Sequence, residues 1–126
     1  MKRELLALFS SIINSSFHFE NNFDHVNIKN VWSYFKQHLV DTKYLDKVDL
    51  EIYLRQGFES KSRPVNKFLF KNVPSKKEIY RVFYLYYKDV AGKPHGKQKN
   101  YASLLGDYFE GYSTDTVSTN FSKSYY

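Results

Sequence analysis

The four histidines are the first residues to consider for chemistry, because imidazole serves both as a metal ligand and as an acid or base near neutral pH. They are His18, His25, His38 and His95. No two of them have the i, i+4 or His-x-His spacing that places two imidazoles on one metal ion, and the chain has no cysteine. His95 lies among lysines and is a candidate acid or base, but a solvated loop histidine is the simpler interpretation. We therefore expect no metal, no cofactor and no catalytic residues.

Two further patterns imitate catalytic sites without matching them. Asp49 with 59–61 (Glu-Ser-Lys) is similar to a nuclease carboxylate set, but such a set needs strands that hold the acids around a metal. The stretch 92–99 has two glycines and three lysines, yet three residues separate the glycines where a phosphate-binding P-loop has four, and no hydroxyl residue follows Lys97. The sequence thus predicts a flexible cationic loop here, not a nucleotide-hydrolysing site.

Positive charge is concentrated in one stretch of the chain. The formal net charge is +6, but residues 61–99 alone carry eleven basic and two acidic side chains and a net charge of +9. We call this stretch the basic belt, and it indicates a polyanionic or acidic partner. Lysine outnumbers arginine 15 to 4, which favours attraction to a phosphate backbone over bidentate reading of bases. The candidate contact residues are Lys76, Lys77, Arg81, Lys88, Lys93, His95, Lys97 and Lys99. The alternative is an ordinary solvated face.

A stripe of tyrosines accompanies the belt. Tyr80, Tyr84 and Tyr87 recur at i, i+4 and i+7 of a predicted helix whose other face carries its own apolar stripe. Such a helix carries large apolar or aromatic side chains on two faces, whereas packing against one core needs only one. The extra rings indicate either packing between layers, which is the usual fate of such stripes, or an aromatic contact surface.

The end of the chain carries a second polar candidate set. Apolar spacing predicts a helix over about 99–109, a break at 110–112, and a last helix capped by Ser113 or Thr114 and carrying Val117, Phe121 and Tyr125. This pair resembles a helix-turn-helix over about 25 residues, with Ala102 as the small residue where the helices approach. The resemblance implies that outward groups on the last helix contact phosphates and base edges, namely Thr116, Thr119, Asn120 and Lys123. Its many serines and threonines leave a strand over 113–125 as an alternative.

The remaining elements complete a mainly α, single-domain (1–126) helical bundle of about five helices. Helices are predicted over about 3–15, 26–41 and 75–91, the last with a serine-glutamate capping box at Ser75 and a terminating Gly92. The segment 44–58 fits either a helix or a strand, with the helix favoured. Between these elements we expect a loop over 15–25 whose phenylalanines enter the core, and one short extended piece near 67–70.

These features together predict a non-enzymatic, cytoplasmic protein that binds DNA or RNA through the basic belt and the last helix. No segment is apolar enough to cross a membrane, and Glu4 argues against a secretory signal at the start. A homodimer would follow if the last two helices read a palindrome. The alternative function is that of a small phage or mobile-element inhibitor or adaptor, which docks through the tyrosines on a nucleoprotein complex such as a CRISPR effector.

Overall fold

The computed structural model describes residues 17–123, which form a bundle of five helices without a β-sheet. The helices are α1 (Ile28–Phe35), α2 (Lys47–Leu54), α3 (Lys76–Leu85), α4 (Gln98–Gly106) and α5 (Thr114–Ser122). The first three each continue into a wider π-helical segment, at Lys36–Val40, Arg55–Ser60 and Tyr86–Val90 respectively. The expected mainly helical class is confirmed, and no helix among these residues is both long and apolar enough to span a bilayer.

Most predicted elements lie where the apolar spacing places them. With their π segments, α1 and α3 match the predicted helices over 26–41 and 75–91, and the ambiguous segment 44–58 is helical. Gly92 has the positive φ, 78°, expected of a helix terminator. The predicted helix over 3–15 falls outside the described residues. The predicted fourth helix ends three residues early, at Gly106, and Tyr108 and Phe109 continue as a buried turn.

Among the described helices, side chains cap the starts of α1 and α5, whereas the N-cap residues of α2, α3 and α4 make no side-chain capping hydrogen bond. Asn27 accepts a hydrogen bond from the Lys29 amide at the start of α1, and Ser113 accepts one from the Thr116 amide at the start of α5. The predicted capping box at the start of α3 does not form. Ser75 occupies the N-cap position, but its side chain makes no capping hydrogen bond, and the Glu78 carboxylate accepts from Arg81 instead, at 2.8 Å.

The short extended piece near 67–70 is present as a single bridge and not as a strand. Phe68 pairs in parallel with Phe109, through hydrogen bonds from the Phe68 amide to Tyr108 and from the Glu110 amide to Phe68. Phe68 and Phe70 both pack against the core while Leu69 points to solvent, as alternation predicts. This bridge ties the connection between α2 and α3 to the end of α4.

The core is built largely from aromatic rings. Phe35, Tyr53 and Phe58 are fully buried, and the Tyr53 and Phe109 ring centroids are 4.9 Å apart. The hydroxyl of Tyr53 is satisfied because it donates to the Leu104 carbonyl at 2.7 Å. The loop before α1 contributes as expected, with Phe19 buried and Phe17 and Phe23 packed against the same cluster. One contiguous apolar cluster therefore joins the loop to all five helices.

Helices α4 and α5 lie side by side and antiparallel. Gly106 touches Thr114 at one end, and at the other the Gln98 amide donates to the Ser118 carbonyl at 2.9 Å and the Ser122 hydroxyl at 2.8 Å. The predicted order of helix, turn and helix is confirmed, and the strand alternative is wrong. The contacts at both ends hold α4 and α5 together as a helical hairpin.

Gly106 sets the distance between these two helices. A Cβ atom built on Gly106 would lie 2.2 Å from the Thr114 backbone nitrogen, so no larger side chain fits without moving α5. The small residue predicted for this role, Ala102, is fully buried, but the close backbone approach occurs one turn later.

Replacing Gly106 therefore tests the hairpin. We expect Gly106→Ala to lower the free energy of unfolding by about 3 kcal/mol, since overpacking against backbone has no rotamer to relieve it. Urea unfolding followed by far-ultraviolet circular dichroism measures this change. The control is Gly96→Ala, where no atom lies within 4 Å of the added Cβ and only the positive φ costs about 1 kcal/mol. Equal losses in the two variants would contradict the close approach.

Candidate nucleic-acid interface

The tyrosine stripe on α3 is buried beneath α5 and the turn that precedes it. Tyr80, Tyr84 and Tyr87 are 9%, 6% and 4% exposed. Tyr80 packs edge-on against Tyr112, while Tyr84 and Tyr87 both contact the Phe121 ring. The interpretation as packing between layers is confirmed, and the predicted aromatic contact surface is wrong because α5 covers these rings.

The polar residues predicted on the last helix are displayed unequally. Thr119 and Lys123 are exposed and Asn120 is half-buried, because Val117 and Phe121 turn the opposite side of α5 into the core. Thr116 is exposed, but its hydroxyl accepts a 2.9 Å hydrogen bond from Ser113 at the helix cap. Of the four predicted contact residues on α5, Thr119 and Lys123 are therefore the two whose exposed side chains are not used in the helix cap.

The basic belt does not form a single surface. Lys76 donates to the Gly111 carbonyl and lies 5.3 Å from the Tyr112 ring centroid, so it stabilises the turn between α4 and α5. Lys67 likewise donates to the carbonyl of Gly106 at 2.9 Å, at the end of α4 where the carbonyls lack helical partners. Along α3, Arg81 is held by Glu78, and Lys77 and Lys88 are exposed.

A second group of cations gathers where α2 ends and α4 begins. Lys61 follows the α2 π segment and Lys97 is the N-cap residue of α4, and both line one cleft of about 470 Å³. We call it the Lys61–Lys97 cleft. Its other lining residues are Phe23, Asp24, Ala91, Pro94, Asn100 and Tyr101. Of the predicted site residues, this cleft contains Lys97, while Lys99 lies two positions on and Lys93 and His95 belong to the loop that leads into it.

The wall of this cleft is fixed by the carboxylate of Asp24. One oxygen of Asp24 accepts from the hydroxyls of Tyr86 and Tyr101, at 2.9 and 3.0 Å, and the other accepts from the Asn21 amide at 2.6 Å and the Val26 backbone at 3.1 Å. Four donors fill the acceptor sites of a carboxylate. Burial, together with the negative charge of Asp24, raises the pKa of Tyr86 and of Tyr101 well above 10.

Several polar groups around the cleft have no partner of their own. Within residues 17–123, the side chains of Lys61, Lys97 and Asn100 make no hydrogen bond or ion pair. Lys61 also has a left-handed backbone, with φ of 54°, which is uncommon for a residue with a side chain. This backbone ends the α2 π segment, because the Lys61 amide donates to the Gln56 carbonyl as a helix C-cap.

Two further grooves differ because their cations are already paired. One, of about 490 Å³ between α4 and α5, is closed by Arg63 with Asp107 at 3.4 Å and by Lys99 with Asp115 at 3.2 Å. The other, of about 320 Å³, contains Lys67 and Lys76 in their structural roles. The Lys61–Lys97 cleft is therefore the candidate site, with Arg63 and Lys99 beside it.

Most residues of this cleft carry no signal in the sequence. Nothing in the local pattern of Asp24 or Asn100 marks either residue as part of a site. The expectation that Phe23 enters the core is correct but incomplete, since its ring also lines the cleft. Lys61 was counted in the basic belt, so charge clustering was the one signal that pointed here.

The histidines and carboxylates do not gather into a metal-binding group in the part of the chain that the structure describes. No group of three or more histidine, aspartate or glutamate side chains there is placed to hold a metal ion. His38 packs against Tyr34, and burial, aided by the charge of Arg81, lowers its pKa. Asp49 and Glu59 lie at opposite ends of the same helix, roughly 15 Å apart along its axis, which is too far to share one metal.

Comparison with known proteins gives no relative. The chain matches no protein-family model, no curated protein and no solved structure.

The buried tyrosines make the stability of the fold sensitive to alkaline pH. Because the pKa of Tyr86 is raised on folding, the stabilisation from its protonated form is complete below about pH 10 and is lost as pH rises above that value. We expect the free energy of unfolding to fall above pH 10, and Tyr86→Phe to make this fall shallower by about 1.4 kcal/mol per pH unit. Urea unfolding between pH 9 and 11 measures the two slopes. Parallel slopes would contradict the burial of this hydroxyl.

Proposed function

We propose that the protein binds nucleic acid without chemistry, through the phosphate backbone, at the surface around the Lys61–Lys97 cleft. The single observation that carries the proposal is the pair Lys61 and Lys97, two exposed lysines on one cleft without an acidic partner among residues 17–123. Unpaired cations that the fold brings together are the electrostatic footprint of a polyanion site.

Neighbouring cations extend this surface beyond the cleft. Lys93 is exposed and lies 5.8 Å from the Tyr84 ring centroid, and Arg63 and Lys99 face the adjoining groove. Arg63, Lys99 and Asp115 are exposed and Asp107 is half-buried, and ion pairs of exposed cations are worth little in water, so phosphates can compete with those carboxylates. We define the α4 surface as Lys61, Arg63, Lys93, Lys97 and Lys99.

The first turn of α4 supports the same orientation. It has no acidic residue, and the N-cap Lys97 makes no side-chain capping bond. The backbone N–H groups of this turn and the positive end of the helix dipole lie at the same end of α4 as Lys97. Together they favour an anion over a cation at this end of the bundle.

The alternative function, an inhibitor or adaptor that docks on a nucleoprotein, loses the exposed tyrosines that distinguished it from nucleic-acid binding. It depended on Tyr80, Tyr84 and Tyr87 as contact residues, and those rings are buried. A nucleoprotein partner remains compatible with the α4 surface, since it too presents phosphates. A purely protein partner becomes the outcome indicated if no nucleic acid binds.

Charge reversal on the cleft tests the proposal. We expect labelled duplex DNA, single-stranded DNA or RNA to bind with an affinity whose logarithm falls linearly with log salt, by about 0.9 or 0.7 per phosphate contacted on duplex or single strand. The double variant Lys61→Glu, Lys97→Glu should weaken binding and reduce that slope by about 2, because two phosphate contacts are lost. Fluorescence anisotropy at several salt concentrations measures both.

The matched control carries the same change of charge at the other end of α2. Lys43→Glu, Lys47→Glu places the reversals roughly 20 Å from Lys61 along the helix and should leave the slope nearly unchanged. Equal effects of the two double variants would contradict the site and leave only non-specific attraction. No binding by the unaltered protein at low salt would overturn the function itself.

A glycine at position 61 separates binding from folding. Because Lys61 adopts a left-handed backbone, Lys61→Gly should keep the free energy of unfolding the same or raise it by up to about 1 kcal/mol. The same change should weaken nucleic-acid binding and lower its salt slope by about 1. A weakened fold together with weakened binding would contradict a dedicated binding role for this lysine.

A further inference from the structure

The Lys61–Lys97 cleft has an apolar wall as well as charge. Phe23, Ala91 and Pro94 line it beside Tyr101. The Phe23 ring is held by an edge contact to Tyr101 and a tilted contact to Phe58, with centroids 5.0 and 5.5 Å away. A wall of packed aromatic and aliphatic groups with a few convergent polar groups is typical of a site for a small organic ligand. Lysines that only attract a phosphate backbone need no such wall.

The size of the cleft limits what can enter. Its volume of about 470 Å³ lies in the lower part of the range found for small-molecule sites, about 300–1,000 Å³. A stacked base pair within a duplex cannot insert into a cleft of this size, and flipping one base out costs a few kcal/mol. A single ring system attached to one phosphate suits it.

The positive charges of the cleft lie at its rim, and the negative charge of Asp24 lies deeper. Lys61 and Lys97 are exposed, whereas Asp24 is half-buried and held by Tyr86 and Tyr101. A phosphate is therefore attracted at the rim and repelled from the interior. The acceptor sites of Asp24 are filled, so the side-chain amide of Asn100, which has no partner among residues 17–123, is the group left to donate to and accept from a ring edge.

We propose that the Lys61–Lys97 cleft seats one unstacked nucleotide of a single strand, with the phosphate between the two lysines and the base against the Phe23 wall beside Asn100. This inference rests on the proposed nucleic-acid binding and adds a preference to it. Duplex DNA has the denser phosphate charge, so backbone attraction alone favours duplex. A cleft that accepts an unstacked base instead makes the protein bind a single strand more tightly than duplex DNA.

The decisive comparison uses strands that differ only in their bases. A labelled oligodeoxyadenylate, an abasic strand of equal length and the blunt duplex of the same sequence are titrated against the full chain at one salt concentration. We expect the base-bearing strand to bind roughly fivefold or more tightly than the abasic strand, since one stacked base contributes that much, and more tightly than the duplex. Equal affinity for the first two overturns the nucleotide seat while leaving backbone binding intact. No binding to any of the three overturns both proposals.

Two variants place the base in the cleft. Asn100→Ala and the cleft-filling Ala91→Leu should each weaken binding of the base-bearing strand and leave the abasic strand unaffected, because neither changes the charge. Ala91→Ser, which keeps the side chain small, is the matched control, and circular dichroism verifies that each variant is folded. Equal weakening on both strands contradicts a role in base contact.

The same assay distinguishes the two sources of a nucleotide. Deoxyadenosine monophosphate is added as a competitor to the bound strand. Displacement only at concentrations far above those of the strand supports a nucleotide held within a strand. Displacement at equal concentrations shows that a free nucleotide is the occupant, which overturns the strand preference and confirms the cleft.

Discussion

The carboxylate of Asp24 is the interaction on which the candidate site depends. It accepts hydrogen bonds from the loop before α1, from Tyr86 in the π segment after α3, and from Tyr101 in α4. These elements are distant in sequence, and the shared acceptor, together with the ring contacts of Tyr101 to Phe23 and Tyr86, holds them close to one another. A half-buried charge is costly unless it is well solvated by donors, and four donors meet that requirement. The wall of the Lys61–Lys97 cleft thus follows from satisfying one carboxylate.

Helix ends determine where the cations lie. A stretch of eleven basic residues looks like one surface in the sequence, but the chain turns several times between Lys61 and Lys99. The turns place Lys67 at the end of α4 and Lys76 at the turn that follows, where each satisfies a carbonyl group, and Lys71 beside Asp46 at 2.8 Å. Three further cations lie along α3 and its π segment, and the other five form the α4 surface, where no carboxylate in the described residues pairs with Lys61 or Lys97. The same residue type therefore serves two purposes, and position in the fold decides which.

The many tyrosines also serve two purposes, since their rings fill the core and their hydroxyls make specific hydrogen bonds. Tyr53, Tyr86 and Tyr101 bury rings like phenylalanine, yet each hydroxyl donates to a specific acceptor, either the Leu104 carbonyl or Asp24. A buried hydroxyl without such an acceptor would be destabilising, so these bonds select one arrangement of the rings among many apolar ones. The aromatic stripe on α3 is accordingly the surface on which α5 packs.

The sequence by itself determined the helical class, the approximate extent of α1 and α3, the start of the last helix at Ser113 or Thr114 and the concentration of positive charge. These features are local, because helical periodicity and turn residues act over a few positions. It misplaced the capping bond of Ser75, the end of α4 and the exposure of Tyr80, Tyr84 and Tyr87, each of which depends on a partner from elsewhere in the chain. Only the tertiary structure decided that Lys61, Lys97 and Asn100 share one cleft with Phe23 and Asp24. The physical reason is that a site is defined by distances across the core, and these are set by the packing of buried rings and by the donors around Asp24, neither of which has a fixed spacing in sequence.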